Sequence, residues 1–575
     1  MKRLHCLCLL LAGLLALVHV AGAQQHQHLA GDAQKLGQAV FSTSCTAAVK
    51  EDFNRAVAML HSFWYQRSEK AFAAVAQKDP SCAMAYWGIA MSRFRQLWNK
   101  PGLEDVTVGL AALERAKTAG EISERERGYI DALEQFYRDA DKVDHLSRLM
   151  AYEEAMEELH QRYGDDSEAA IFYALAVLGT AYSSPPDKTY GRQKQAGTIL
   201  EEIFATQPNH PGVAHYIIHS YDYPPLAGRA LEAARRYSKI APDAPHALHM
   251  PSHIFTRLGL WQESIVSNQA AAAAARKDRW AKEEVHSMDY LVYAYLQGAQ
   301  DGEAIRILVE LPKVTPRLRD SDHKYNADAI PARYTVERRQ WKEAAALAVP
   351  TDVSRGGRSC WAEATLYFAR GLGAVHTGEL AAARHSIAQL ERCREVLLGS
   401  AESDGEEVGG GRLNETLWAN LVEAQRGAVA AWLALIEGQK DEALAMMRSA
   451  ADLEDSTDKP PTTPGAILPA RELLGEMLLE VERPVEALTE LEAALRDAPN
   501  RFRSLYGAAR AAELAGDVER ANEYYSKLVE VCLFADTERA ELREAKDFLK
   551  RKQVRQVAPI NSLHRTPPRA VDVLR

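Results

Sequence analysis

Five histidines lie in two short stretches of the chain, and their spacing could build a metal site. His215 and His219 belong to HYIIHSYD, and His246, His249 and His253 belong to HALHMPSHIF. Histidine is the commonest protein ligand of metal ions and titrates near neutral pH. Two histidines four residues apart lie above one another on one face of a helix, so both can reach the same ion. These stretches therefore predict a transition-metal site, provided that both are helical.

The segments around these histidines carry a repeated helix-pair pattern. Near the C-terminus, the stretch DAPNRFRSLYGAARAAELAGDVERANEYYSKLVEV resembles one tetratricopeptide unit, with Gly516 in the turn between two helices and Pro499 ending the unit before it. Pro208 and Pro242 are separated by the period of about 34 residues that is typical of this repeat. Small residues let the two helices approach closely, and proline ends each second helix. The sequence thus predicts an all-α fold, a right-handed superhelical solenoid of tetratricopeptide helix pairs.

The repeat also predicts which side chains face the inner, concave surface, because the first helix of each pair lines it. The register places polar side chains of four successive units there: His215, His219 and Asp222; His246, His249, His253 and Arg257; His286, Asp289 and Tyr293; and Arg333. Neighbouring helices pack about 8–10 Å apart, so side chains from adjacent units could meet at one ion. We take the histidines, Asp222 and Asp289 as candidate metal ligands. The candidate ligand-binding residues are Arg257, Tyr293 and Arg333.

The sequence leaves three interpretations of this cluster open. The histidines hold zinc, copper or iron, with Asp222 or Asp289 completing the ligand set. Alternatively, protonated histidines bind an anionic ligand together with Arg257 and Arg333, or the histidines only shape the surface. Asn268, at a position that usually holds a large apolar residue, could orient one histidine or bond to the local backbone. The cluster lacks a dedicated motif such as H-E-x-x-H, so the sequence does not decide whether the protein is an enzyme.

The N-terminus and the net charge bear on location and partners. Lys2 and Arg3 precede an apolar run over residues 7–20, and a small-residue cleavage site follows, which predicts a signal peptide over residues 1–23. We therefore expect a periplasmic or secreted protein, and no later segment is long and apolar enough to span a membrane. The formal net charge of −10 lacks the basic excess that nucleic-acid binding needs. The expected partner is a protein or peptide, with a small molecule as the alternative.

Five cysteines remain beyond the predicted signal peptide. In an oxidising compartment, Cys45–Cys82 and Cys360–Cys393 are candidate disulfides, and Cys532 is left over. The alternative is that these cysteines are small buried apolar residues.

Composition and periodicity divide the chain after the signal peptide into six segments. We predict a flexible N-terminal segment over residues 24–40, an N-terminal and central solenoid with the His-rich groove over 41–350, a further helix pair over 351–399, an acidic glycine-rich loop over 400–415, C-terminal repeats over 416–550 and a loose tail over 551–575.

Several phrases of the sequence carry a family resemblance: LHSFWY, DPSCAMAYWGIAMS, HPGVAHYIIHSYD, PHALHMPSHIFTRLGLW, PARELLGEMLLE and PNRFRSLYGAARAAELAGD. With these phrases the chain resembles a group of exported bacterial tetratricopeptide proteins over most of its length. The resemblance implies the solenoid fold and export, and it places the histidine stretches among the motifs that the group shares. It implies no catalytic residue.

Three functions are consistent with these observations. The first is an exported solenoid that binds a protein, peptide or small ligand and carries a metal site in its central units. The second is a metal-dependent enzyme, hydrolytic or oxidative, in which the two histidine pairs hold the ion and Arg257 or Arg333 binds an anionic substrate. The third is a plain interaction scaffold. Repeat arrays mostly serve as binding modules, which favours the first.

Overall fold

The computed structural model describes residues 35–95, 97, 100–318, 324–349, 360–403, 411–460 and 462–557, with the backbone alone at 400–403, 411–414 and 552–557. Within these ranges every long regular element is a helix and no strand occurs, so the all-α prediction is confirmed. No helix in the described ranges is long and apolar enough to cross a membrane. The predicted signal peptide, residues 1–23, lies outside the described residues and stays a prediction.

Consecutive helices pack against each other in pairs, joined by short turns that make them antiparallel. The N-terminal helices are α1 (Lys50–His61), α2 (Tyr65–Lys78), α3 (Ala83–Phe94), α4 (Leu103–Thr118), α5 (Glu124–Tyr137), α6 (His145–Arg162), α7 (Ser167–Ser183) and α8 (Gly191–Thr206). The central helices are α9 (Pro211–Tyr221), α10 (Leu231–Ile240), α11 (Pro245–His249), α12 (Pro251–Arg257), α13 (Trp261–Lys277), α14 (Ala281–Gln297), α15 (Asp301–Val314), α16 (Lys324–Glu337) and α17 (Trp341–Ala345). The C-terminal helices are α18 (Cys360–Thr377), α19 (Leu380–Ser403), α20 (Gly411–Ile436), α21 (Lys440–Ser456), α22 (Ala470–Glu480), α23 (Pro484–Asp497), α24 (Phe502–Leu514), α25 (Val518–Val531) and α26 (Ala540–Val557).

Small residues form the contacts within the pairs. Ala304, Ala344, Ala487 and Ala521 occupy the positions where the repeat requires a small side chain on the second helix, and all four are 0% exposed. An alanine there lets the two helix backbones approach closely, and the larger apolar neighbours fill the space around it. The register that the sequence predicts is therefore the register of these helices.

One turn geometry recurs between the two helices of a pair. The residue two positions before the second helix has a positive φ, and it is a glycine at Gly259, Gly378, Gly438 and Gly516. Glycine has no Cβ, so it adopts this left-handed conformation without steric cost. In the first pair the same position is held by Phe63, with a φ of 52°.

The C-terminal pairs fold back onto the inner surface of the central pairs. Arg501, next to the start of α24, donates from Nη2 to Glu337 at 2.5 Å and to Glu472 at 2.9 Å. Its Nη1 donates to the hydroxyl of Tyr293 at 3.0 Å. All four side chains are buried. The chain itself therefore covers part of the inner surface, which the sequence predicts as an open groove.

Residues 457–460 and 462–469, between α21 and α22, form no helix and lie over the central helices; they are called the strap below. Lys459 of the strap reaches Asp222 at 3.3 Å, beside the end of α9. The hydroxyl of Tyr290 on α14 donates to the backbone oxygen of Thr463 at 3.1 Å. The strap thus closes the inner surface at the place where the histidines lie.

Part of the segment predicted to be flexible, residues 24–40, is packed. Leu36 and Ala39 are buried, and the amide of Gln38 donates to the backbone oxygen of Asn209 at 3.1 Å. The prediction is wrong for residues 35–40, because two apolar side chains there find a place against the array. Residues 24–34 lie outside the described residues.

Two predicted loops also need correction, because helices run into them. α19 ends at Ser403 and α20 begins at Gly411, which shortens the predicted loop of 400–415 to residues 404–410, outside the described residues. α26 continues to Val557, so the predicted tail of 551–575 starts as helix. The sequence RKQVRQV there is rich in residues of high helix propensity. Residues 351–359 and 558–575 lie outside the described residues.

The structure contains one of the two candidate disulfides. Cys45 and Cys82 are bonded, with their Cα atoms 4.5 Å apart. Cys360, Cys393 and Cys532 are free and buried. The predicted Cys360–Cys393 bond is absent from the structure, although the two sulfur atoms lie within 4.8 Å of each other. The neighbouring Cys360 thiol, together with burial, raises the pKa of Cys393.

We predict that peptide mapping without reductant finds Cys45 linked to Cys82. Cys360, Cys393 and Cys532 should all react with an alkylating reagent once the chain is unfolded in denaturant, because none of them is bonded. Alkylation of Cys45 or Cys82 before reduction would contradict the assignment.

Replacing Arg501 tests the contact between the C-terminal and central pairs. Arg501→Met removes the cation and leaves the buried carboxylates of Glu337 and Glu472 without it, which should lower the free energy of unfolding by about 3–5 kcal/mol. Urea unfolding measures the change. Arg229→Met, which breaks a solvent-exposed pair with Glu201, is the matched control and should change little. Equal stability of the two variants would contradict a buried network.

Candidate metal centre

The first helices of three consecutive pairs supply six histidines to one region. His215 and His219 lie on α9, and His286 lies on α14. The other three, His246, His249 and His253, lie on the segment α11–α12. Pro251 begins α12, and the segment stays helical through it because the amide of Met250 still bonds to the oxygen of His246 at 2.9 Å.

The six histidines form two groups of three. One ring nitrogen each of His215, His219 and His246 lies within 4.8 Å of the other two, and the same holds for His249, His253 and His286. These groups are called the first and the second triad below. In each triad, an i,i+4 pair from one helix is completed by a histidine from the segment that follows along the chain.

In the first triad, the protein backbone fixes one imidazole. His215 Nδ1 donates to the backbone oxygen of His61 at 2.7 Å, so its Nε2 carries the lone pair. That Nε2 lies 3.0 Å from Nε2 of His219. Nε2 of His246 is buried and has no hydrogen-bond partner. Gly212 allows α9 to approach the end of α1 closely, because a Cβ at this position would lie 2.5 Å from Nδ1 of His61.

In the second triad, both members of the pair are fixed by acceptors. His249 Nδ1 donates to Oδ1 of Asn268 at 2.7 Å, and His253 Nδ1 donates to Oδ2 of Asp222 at 2.9 Å. The amide nitrogen of Asn268 is used by the oxygen of Ser264, which identifies Oδ1 as the atom facing His249. With one proton on each ring, both Nε2 atoms carry lone pairs, and they face each other at 3.0 Å. Two lone pairs repel at this distance, whereas a cation between them would bind both.

Burial keeps these imidazoles neutral. Desolvation lowers the pKa of His249 to about 3, with a further lowering from His253. Burial also lowers the pKa of His215, His219 and His253, the last against the opposing effect of Asp222. Neutral imidazole is the form that binds metal ions. The histidines are therefore poor partners for an anion, which needs them protonated.

An aromatic ring packs against each triad. The ring of Phe63 lies 4.4 Å from that of His215 and 5.6 Å from that of His219, measured between centroids. The ring of Tyr290 lies 4.8 Å from that of His249. Phe63 thus places apolar surface beside the first triad, whereas Tyr290 lies beside the second with its hydroxyl 3.3 Å from Nε2 of His253.

Asp222 lies behind the second triad and acts on it through His253. Its carboxylate accepts from Nδ1 of His253 and from Nε of Arg257, each at 2.9 Å, and from Nζ of Lys459 at 3.3 Å. Burial alone would raise the pKa of Asp222, but Lys459, Arg257 and His253 outweigh it and hold the pKa well below its usual range. Asp222 therefore positions His253 and is not itself a member of a triad, contrary to the prediction.

A third buried group, His61, Glu168 and His210, is a complete hydrogen-bond network. Nε2 of His61 and Nε2 of His210 donate to Glu168 at 3.0 and 3.1 Å. Nδ1 of His61 accepts from the hydroxyl of Tyr216 at 3.0 Å, and Nδ1 of His210 accepts from the amide of Val213 at 3.3 Å. Because every ring nitrogen is already paired, this group serves to hold α1, α7 and α9 together. It thereby positions the oxygen of His61 that binds His215.

The remaining predicted site residues lie outside both triads. Arg333 donates to Asp289 at 3.3 Å and to the backbone oxygen of Ala466 at 2.7 Å, and its guanidinium lies 4.7 Å above the ring of Tyr293. Asn326 also donates to Asp289, whose pKa is raised by burial. Arg333, which is bonded to Asp289 and stacked on Tyr293, thus forms the contact with the strap. Neither Arg257 nor Arg333 is free to bind an anionic ligand, because carboxylates already occupy both.

Sequence reasoning found the six histidines and one of their partners, Asn268. It missed Lys459 and Thr463, which reach the centre from the strap more than 160 residues away along the chain. No local signal marks such a contact. Tyr290 could have been predicted from the sequence, because it lies four residues after His286 on the same helix and therefore on the same face.

Comparisons with known proteins add little to this geometry. No protein-family model and no curated protein matches the sequence. The chain is similar to the solved TPR domain of P58(IPK), at 13% identity over 68% of this chain and 100% of that one, with a TM-score of 0.22. It is also similar to yeast Tom70, at 12% identity over 88% and 96% with a TM-score of 0.30, and to the human IFIT1 dimer with m7Gppp-AAAA, at 10% identity over 83% and 95% with a TM-score of 0.35. Similarities at these TM-scores carry no weight for function.

Asn268 offers a test of how the second triad is positioned. Asn268→Leu removes the acceptor of His249 Nδ1, frees the ring to turn, and should weaken metal binding by about 10- to 100-fold. Asn268→Asp keeps an oxygen in place and should retain most of the affinity. Isothermal titration with zinc measures both. Equal affinity of the leucine variant and the unaltered protein would contradict a positioning role.

Proposed function

We propose that this chain is an exported helical-repeat protein that binds a transition metal ion through the histidines of its central units. The observation that carries the proposal is the second triad. The Nδ1 atoms of His249 and His253 both donate hydrogen bonds to acceptors outside the triad, so the two Nε2 lone pairs face each other at 3.0 Å. A metal ion bound by both nitrogens turns this repulsion into attraction. The buried, unpaired Nε2 of His246 supports the same role for the first triad.

The burial of the centre favours binding of the ion over conversion of a large substrate. His215, His219, His249 and His253 are buried, and Phe63 and Tyr290 pack beside them. The two arginines that an anionic substrate would need already hold carboxylates. A metal-dependent enzyme of this kind would have to displace the strap before a large substrate reached the ion. For this reason the enzyme hypothesis ranks behind metal binding.

The wider role of the array as a binding module stays part of the proposal. Stacked helix pairs commonly present a surface to a protein or peptide. Here the strap and the C-terminal pairs occupy inner surface at Asp222, Arg333 and Glu337. A partner would therefore bind to another face of the helices, or to the inner surface after the strap has moved. Export follows from the predicted signal peptide over residues 1–23.

Metal analysis of the purified protein tests the proposal. We expect at least one equivalent of zinc, copper or iron per chain, and loss of this metal in the double variant His249→Ala/His253→Ala, because both ligands of the facing pair are removed. The matched control is His385→Ala, which removes an exposed histidine on α19 and should keep the metal. Circular dichroism shows whether each variant is folded, and the half-buried His286→Ala replaces the double variant if that one unfolds.

The proposal fails if the folded protein contains no transition metal and takes up none when zinc, copper and iron are each supplied. It also fails if His249→Ala/His253→Ala, still folded, retains the metal of the unaltered protein.

A further inference from the structure

We propose that the centre binds two copper ions in the monovalent state, one in each triad. This inference rests on the proposed metal binding and adds the number, the identity and the charge of the ions. Three observations carry it: the division of the six imidazoles, the charges around them, and the apolar surfaces beside them.

The division of the ligands indicates two ions. Metal–nitrogen distances are about 2.0–2.1 Å, so the nitrogens around a single ion lie within about 4.2 Å of one another. Each triad approaches this condition by itself, with its three nitrogens within 4.8 Å. His246 and His249 follow each other on one helical segment, yet the first completes the triad of His215 and the second belongs with His286, at ring-centroid distances of 5.1 and 4.3 Å.

The charges indicate ions of low charge. All six ligands are imidazoles, which bind metal ions in their neutral form, and no carboxylate belongs to either triad. Two carboxylates lie in the next layer: Glu283, whose Oε1 is 3.5 Å from Nδ1 of His246, and Asp222. The cations Lys459 and Arg257 both bond to Asp222, so the formal charges of these four side chains sum to zero.

Because these four side chains together carry no net charge, they do little to compensate the charge of the ions. Two divalent ions would bring four positive charges into a buried site, and two monovalent ions would bring half as many. Uncompensated buried charge is costly, because little water or counter-charge is near to stabilise it. Monovalent copper therefore fits the charge of the ligand set better than zinc or iron does.

The coordination number points the same way. Zinc bound by three histidines keeps a fourth position for water or substrate, and its protein sites are almost always at least four-coordinate. Monovalent copper is stable with three imidazoles alone. Phe63 stacks at 23° to His219 of the first triad, so apolar ring surface lies there where a water ligand would otherwise approach. At the second triad the ring of Tyr290 packs against His253, with its hydroxyl 3.3 Å from Nε2 of His253. Imidazole is a ligand that copper accepts.

An anaerobic titration of metal-free protein with monovalent copper, against a chromophoric chelator of the same ion, tests the inference. We expect two equivalents per chain. His246→Ala and His286→Ala each remove one half-buried ligand from one triad, so each variant should bind one equivalent tightly, and the double variant none. His385→Ala, on the surface, should bind two. The copper edge in X-ray absorption should show three nitrogen neighbours per ion and the monovalent state.

The outcomes separate this inference from the proposed function. One equivalent that both single variants abolish would mean a single shared ion, and zinc bound more tightly than monovalent copper would mean a divalent site. Either result overturns the inference and leaves metal binding intact. A folded protein that binds none of copper, zinc and iron overturns both. Circular dichroism before the titration establishes that each variant is folded.

Discussion

The constraint on which the centre depends is the fixing of imidazole Nδ1 atoms by acceptors outside the two triads. The oxygen of His61 holds His215, Asn268 holds His249, and Asp222 holds His253. Each acceptor belongs to a different helix pair from the histidine it holds or to the second helix of the same pair. Stacking of the repeat therefore sets the direction of these three Nε2 lone pairs, and a shift of one unit against the next would disrupt the centre. Neutral imidazoles held in this orientation have their Nε2 atoms already positioned to bind a cation.

The strap and the C-terminal pairs, which cover part of the inner surface, also support this arrangement. Lys459 of the strap shares Asp222 with Arg257 and His253, which keeps the carboxylate ionised although it is buried. The strap is held in turn where Arg333 bonds to Ala466, and the C-terminal pairs are held by Arg501. Buried ion pairs of this kind contribute less to net stability than to a unique geometry. The C-terminal pairs thus act on the centre without contributing a ligand.

Much of the fold and half of the site could be predicted from the sequence. Helix pairs follow from local periodicity, and the inner-face register follows from a repeat with small residues at fixed positions, so the six histidines were assigned to one surface. The assignments of Asp222 and Asp289 as metal ligands, and of Arg257 and Arg333 as binding residues, did not anticipate the ion pairs that these side chains make. Their partners come from the strap and neighbouring units, and no repeat period encodes a contact between α16 and Ala466. The sequence could not decide whether Cys360 and Cys393 are bonded or free, because spacing along the chain does not fix the distance between sulfur atoms.

The most direct test of the central claim is anomalous diffraction from crystals of metal-loaded protein, recorded at the absorption edge of the bound metal. The account predicts an anomalous peak between His249 and His253, about 2.0–2.1 Å from both Nε2 atoms, with Asn268 and Asp222 still bonded to the Nδ1 atoms. Absence of a peak at this place in fully loaded crystals, or rings rotated so that the Nε2 atoms no longer face each other, would contradict it.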